Sequence, residues 1–228
     1  MSSKDFIKNK ISALEKAMLA AANEEIAGPM SAYMKKKFPF LGIKKPEREL
    51  IVKPWMEEMK KLDWEDARKA SAILWKKKER EYQYIAMELL FKNKKSWNES
   101  SLDYFESLVI EKSWWDTVDF IASNLIGNYF LKHPEKMHTC VKKWSSHKNM
   151  WLNRTAIIFQ IKYRKQTDTD LLLHAIFPHI NSNEFFLQKA IGWALRAYSE
   201  TEPSFVWRFV ETNELKPLSK REATRKID

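Results

Sequence analysis

Glycine is scarce in this chain, with four (Gly28, Gly42, Gly127 and Gly192) in 228 residues. Phosphate loops of the P-loop and dinucleotide-binding kinds need several glycines, because backbone amides must close directly on a pyrophosphate. Chemistry driven by a nucleotide cofactor is therefore disfavoured. Cysteine is scarcer still: Cys140 stands alone, cannot form an internal disulfide, and suits a reducing cytoplasm. No window approaches the roughly eighteen uninterrupted apolar residues of a spanning helix. The N-terminus, with Lys4, Lys8 and Lys10 interleaved among Asp5 and Phe6, lacks the apolar run of a signal peptide. Five histidines (His133, His138, His147, His174 and His179) never fall in an HExxH or finger spacing, and the nearest approach to a metal cluster is His138 with Cys140. Neither a metal nor a cofactor is expected.

What is abundant is positive charge. Forty Lys and Arg against thirty Asp and Glu give a formal net charge of +10, which implies a polyanionic partner. With no membrane-spanning segment in view, that partner is expected to be nucleic acid. A hydrophobic content of 44% is that of an ordinary globular protein, and 228 residues can bury a substantial core as one domain. No low-complexity tract or linker interrupts the chain, so residues 1–228 are taken as a single domain.

Helical periodicity dominates, and Pro46, Pro134, Pro203 and Pro217 each open an amphipathic or acidic run, as proline does in a first helical turn. The pattern predicts helices over 4–22, 28–38, 46–60, 63–77, 80–94, 98–111, 114–131, 134–145, 149–164, 168–177, 184–199, 203–213 and 217–227. Stacking the more apolar helices reveals a period: Ala86, Ala122, Ala156 and Ala190 lie 36, 34 and 34 residues apart. That is the length of a pair of antiparallel helices. Such pairs cannot bury their apolar faces alone and stack into a superhelical solenoid with an extended concave surface; chance recurrence of alanine is the competing account. In this register Asp119, Arg154 and Lys189 occupy corresponding positions to within one residue, so an acid and two cations should line one side.

The segment Ser113 to Asp119 sets two adjacent indoles beside two carboxylates. On a helix, Trp114, Val118, Ile121 and Leu125 form an apolar stripe that must face the core. Trp115 and Asp119 sit one turn apart on the neighbouring flank. Taken alone, Trp115 is accounted for as an indole covering a polar helix face. Trp193, one turn beyond Lys189, offers a second aromatic face. A carboxylate between two indoles would suit an oxocarbenium-like sugar cation. Basic runs at 35–37 and 76–78, at Lys162, Arg164 and Lys165, and at Lys216, Lys220, Arg221, Arg225 and Lys226 read as phosphate contacts along a duplex, which position a substrate without reading its sequence.

These residues resemble a known family. PMSAYMKKKFPFLGIKKPER (29–48), LWKKKEREYQ (74–83), KSWWDTVD (112–119), FLKHPE (130–135), WLNRTAIIFQIKY (151–163), EFFLQKAIGWALRAY (184–198) and NELKPLSKREA (213–223) are similar to the AlkD-type DNA glycosylases of the DNA alkylation repair family, essentially end to end. The resemblance implies an all-α fold of HEAT-like repeats with a concave basic DNA-binding surface. The implied activity is hydrolysis of the N-glycosidic bond of cationic N3- and N7-alkylated purines in duplex DNA. It implies Asp119 as the catalytic aspartate, Trp115 and Trp193 as the active-site tryptophans, Arg154 as a phosphate contact and Tyr33 near the same cleft. Unlike most base-processing enzymes, the family need not flip its target out of the stack. Lys189, Lys162, Lys220 and Arg221 complete the expected DNA-binding set.

An alkylated base already carries positive charge and leaves as a neutral species, so no general acid is required. No lysine or amine nucleophile is needed either, which fits a monofunctional enzyme without strand cleavage, acting as a monomer. The runner-up is a non-catalytic HEAT-like protein that recognises bent or branched DNA. A third reading, a protein scaffold, has no use for an acid flanked by cations.

Overall fold

A computed structural model describes residues 2–227. The chain is all-α, built from stacked helix pairs, with no strand among the described residues. It gathers into two compact units, one up to Ser101 and the other from Leu102 onward.

The first unit holds α1 (Ser3–Ala20), α2 (Glu24–Tyr33), α3 (Lys45–Met59), α4 (Trp64–Lys76) and α5 (Arg80–Lys92). Ser2 caps α1 by accepting from the Asp5 amide, and the stripe Ile7, Ile11, Leu14 and Met18 is buried at helical spacing. α2 begins four residues before the expected start at residue 28. Asn23 accepts from the Ile26 amide and Glu24 and Glu25 fill the first turn, a stronger start signal than Gly28-Pro29, so Pro29 lies inside the helix. The helix stops at Tyr33 rather than at residue 38, and Lys35 and Lys36 turn left-handed at φ 56°.

The loop into α3 is pinned by a buried carboxylate. Glu81 accepts from the amides of Leu41, Gly42 and Ile43 at 3.0, 2.9 and 3.2 Å. Only glycine fits at position 42, where φ is +87° and a Cβ would lie 1.9 Å from the Asn23 carbonyl oxygen.

The second unit continues with α6 (Ser101–Ile110), α7 (Trp115–Phe120), a π-helical stretch (Ile121–Ile126), α8 (Gly127–Lys132), α9 (Pro134–Ser145), α10 (Met150–Ile158), α11 (Thr169–Ile176), α12 (Phe185–Ser199), α13 (Pro203–Thr212) and α14 (Pro217–Thr224). The four alanines that set the sequence period, one in the first unit and three in the second, are all fully buried.

The expected helix over 114–131 is thus three segments. Trp114 is extended at the N-cap, not helical. Across the π-stretch the carbonyls of Asp119, Phe120 and Asn124 accept side-chain bonds from Ser123, Asn124 and Asn128, each four residues on. Such back-bonding loosens the ordinary ladder, and π-segments of this kind recur at functional sites.

Gly127 and Gly192 mark close approaches. A Cβ on Gly127 would lie 2.7 Å from the Phe159 carbonyl oxygen, and one on Gly192 would lie 2.4 Å from Glu222 Cβ.

Candidate functional site

The register set by the buried alanines exposes a substitution of roles. Three residues before Ala86, Gln83 donates through Nε2 to the carbonyls of Trp75 and Lys77, tying the turn between α4 and α5. Three residues before Ala156, Asn153 donates through Nδ2 to the carbonyls of Trp144 and His147, tying the turn between α9 and α10. Three residues before Ala122 stands Asp119. An ionised carboxylate has no hydrogen to give a carbonyl, so the same register position now needs a cation.

Arg154 supplies it. Its Nε donates to Asp119 Oδ1 at 2.7 Å and its Nη2 to Oδ2 at 2.8 Å, a two-pronged guanidinium–carboxylate pair. Nη1 donates to the Phe186 carbonyl oxygen at 2.5 Å. The pair is largely enclosed, with 5% of the Arg154 side chain and 18% of the Asp119 side chain exposed. Burial pushes the Asp119 carboxyl above its ordinary value of 3.8; the Arg154 hydrogen bonds and charge oppose this, and Asp116 adds a little in the upward direction. Burial keeps water from screening the Asp119 carboxylate, and Arg154 is the cation that balances it.

An aromatic cluster stands beside the pair. Trp114 packs against Trp151 and Phe186 with ring centroids 5.7 and 5.0 Å away, and Trp151 lies 5.0 Å from Phe186. Trp114 is half-buried within this cluster; Val118, Ile121 and Leu125, which the sequence puts on the same stripe, are fully buried. Trp115 opens α7 one turn before Asp119 and is half-buried.

Residues 14–227 match the family model for DNA alkylation repair enzymes. The chain belongs to the DNA alkylation repair family. A solved structure, "Predicted DNA alkylation repair enzyme from Enterococcus faecalis", is similar to it at 35% identity and a TM-score of 0.85, covering 90% of this chain and 96% of that one. No curated protein matches.

Of the other residues singled out in this family member, Trp193 and Lys162 line one open groove of about 530 Å3 together with Ile161, Arg196, Ala197, Glu200, Arg225 and Lys226. Lys162 donates to Asn124 Oδ1 at 2.6 Å, which ties the groove to the π-stretch, and burial lowers its ammonium pKa. The register alignment of Asp119, Arg154 and Lys189 holds for the first two as a direct contact. Lys189 instead donates to Glu222 on α14 at 2.8 Å.

Lys220 and Arg221 are exposed on α14, Lys220 lying 3.4 Å from Glu211. In the other unit Tyr33 is 69% exposed at the end of α2. Among the described residues no helix is long and apolar enough to cross a membrane, and no group of three or more His, Cys, Asp and Glu side chains could hold a metal.

Sequence reasoning missed Glu222, Arg196 and the Trp151 and Phe186 cluster. A signal for the first was present: a lone glycine inside the helix QKAIGWAL marks a close approach by another element, and α14 is that element.

Proposed function

We propose that this member of the DNA alkylation repair family is a monofunctional glycosylase that hydrolyses the N-glycosidic bond of cationic N3- and N7-alkylated purines in duplex DNA, with residues 1–228 acting as one functional domain, as a monomer in the cytoplasm. The observation that carries the reading is the Asp119 carboxylate, held by Arg154 in a mostly buried setting where two of the other three repeats place a turn-tying amide and the third places Leu187. A structural position has been given over to a fixed negative charge.

In this scheme the bond between deoxyribose C1′ and the purine nitrogen breaks first, and its electron pair neutralises the alkylated base. The positive charge moves to the sugar. Asp119 stabilises that oxocarbenium by charge, and the faces of Trp115 and Trp193 add attraction to the cation. Water adds to C1′ and releases a proton to solvent, leaving an abasic site. An ion pair at about 4 Å and an effective dielectric near 20 is worth roughly 4 kcal/mol, about a thousandfold in rate if realised only in the transition state.

Lys162, Lys189, Lys220 and Arg221 would follow the DNA backbone and hold the lesion without obligatory flipping, and Tyr33, in the first unit, would be a DNA contact of its own. For Arg154 to contact a phosphate, one of its donors must leave Asp119 or Phe186 on binding. Such an exchange would couple arrival of the strand to release of the catalytic carboxylate.

The test is incubation with duplex DNA containing N7-methylguanine and assay of the released free base. Release above the spontaneous rate, with an abasic site left and no strand cleavage, is expected. Tight duplex binding without release would overturn the enzyme and leave the non-catalytic DNA-binding reading.

A further inference from the structure

On α12, Lys189, Trp193 and Arg196 fall at i, i+4 and i+7, and so share one face. Both cations on that face converge on one carboxylate. Lys189 Nζ donates to Glu222 Oε1 at 2.8 Å, and Arg196 Nη1 donates to Glu222 Oε2 and, at 3.3 Å, to the Glu222 carbonyl oxygen. Glu222 comes from α14, 33 residues beyond Lys189. Two oxygens of one anion shared between an ammonium and a guanidinium reproduce the way a backbone phosphate is gripped.

Three observations separate this arrangement from a plain helix clamp. First, α14 is already seated on α12 without it: Gly192 admits the α14 backbone and Ser219 Oγ donates to the Gln188 carbonyl at 3.0 Å. Second, exposure is inverted. The Glu222 side chain is 12% exposed whereas Lys189 is 38% and Arg196 20%, so the cations, not the acid, face solvent. Third, Arg196 lines the same groove as Trp193, Lys162, Arg225 and Lys226, and Lys226 is likewise held by a carboxylate, that of Glu200. Lys189 and Arg196 together hold the Glu222 carboxyl down to about 2, so it is an anion at any working pH.

We propose that Glu222 is an internal stand-in for a DNA phosphate, occupying Lys189 and Arg196 in the free protein and giving way when a strand is laid against Trp193. The chain carries a formal net charge of +10 and would hold undamaged DNA tightly at every phosphate it met. An acid that must be displaced beside Trp193 weakens that general grip at the one place where chemistry is proposed. This inference rests on the proposed function, since it takes DNA as the ligand of the groove.

The experiment compares binding of the full chain to a short undamaged duplex across a salt series for wild type, Glu222→Gln and Glu65→Gln. Glu65 pairs with Arg68 in the first unit and controls for loss of one negative charge. Glu222→Gln should bind at least about threefold more tightly than Glu65→Gln near physiological salt. Its slope of log K against log salt should match that of Glu65→Gln, because Lys189 and Arg196 meet the same phosphates once Glu222 has given way.

Affinity equal to that of Glu65→Gln, in a variant whose melting shows a folded protein, would overturn the proposal, as would a steeper slope, which would mean that wild-type Glu222 keeps both cations from the strand. Should Glu222→Gln fail to fold, Glu222→Asp retracts the same charge by one methylene; it should bind more tightly than wild type, and binding equal to wild type would overturn the idea. A wild-type chain that does not bind duplex DNA at all would remove the proposed function together with this inference. Binding by wild type that Glu222→Gln leaves unchanged removes the inference alone.

Discussion

Arg154 grips both carboxylate oxygens of Asp119, at 2.7 and 2.8 Å, from a helix 35 residues further along the chain. One partner is proposed to act on substrate, and the other sets how strongly it can act.

Replacing Asp119 with Asn keeps the shape of the side chain and removes its charge. Base release should slow by about a thousandfold, the value of a roughly 4 kcal/mol charge interaction lost from the transition state. Duplex affinity should stay within about twofold of wild type. Single-turnover release and equilibrium binding measured side by side check this, and a matching loss in both would assign Asp119 to binding instead.

The acid limb of the rate profile follows from burial of the same carboxyl. Its folded pKa lies above the ordinary 3.8, so the active carboxylate is present above that raised value and is lost by protonation as pH falls through it. Base release by wild type should therefore decline at a higher pH than a solvent-exposed aspartate would give. Arg154 pulls the value down, so Arg154→Ala should move the limb further up. A limb at or below 3.8 would contradict the direction.

Arg154→Ala also leaves a mostly buried carboxylate without its cation. Breaking such a pair costs about 3 to 5 kcal/mol, and thermal or denaturant unfolding should show a loss of that order. The phosphate role implied by family resemblance predicts in addition a salt slope shallower by about 0.9. A stability loss with an unchanged slope would restrict Arg154 to orienting Asp119.

Part of the register was legible in the sequence because buried alanines recur with the helix pair, and that recurrence put Asp119 and Arg154 at corresponding positions along one side, where the structure pairs them directly. It failed for Lys189, whose partner belongs to a short helix rich in basic residues, where one glutamate attracts no notice. The π-stretch was illegible for a different reason. Apolar periodicity reports which face is buried, and Ile121, Ala122, Leu125 and Ile126 are buried whether the ladder steps by four or by five. The poor helix formers Ser123, Asn124 and Asn128 were the available hint. Glu81, read only as part of a matching segment, holds a loop by three amides that no spacing rule anticipates.

Two helical glycines should respond to alanine in opposite directions. At Gly192 the added methyl would lie 2.4 Å from Glu222 Cβ and 2.9 Å from the Ser219 carbonyl oxygen, forcing α14 away at a cost of about 1 to 3 kcal/mol. At Gly28, inside α2, nothing lies within 4 Å, and Gly28→Ala should stabilise by about 0.4 to 1 kcal/mol by narrowing the unfolded ensemble. Melting curves of the two variants decide the matter, and equal shifts would show that the contact between α12 and α14 is looser than its geometry.

The π-stretch from Ile121 to Ile126 changes how distance along this chain should be counted. A ladder that reaches one residue further back takes in an extra residue for nearly the same angular advance. Asp119 and Gly127, on either side of it, are therefore closer in phase than their separation in an ordinary helix would make them. Deleting one residue inside the stretch would let it tighten to the four-step ladder and leave both flanks aimed as they are. Deleting one residue from α7 or α8 would swing one flank about a quarter-turn round the axis. The segment works as slack in the thread, taking up a length change that the helices around it would pass on as rotation.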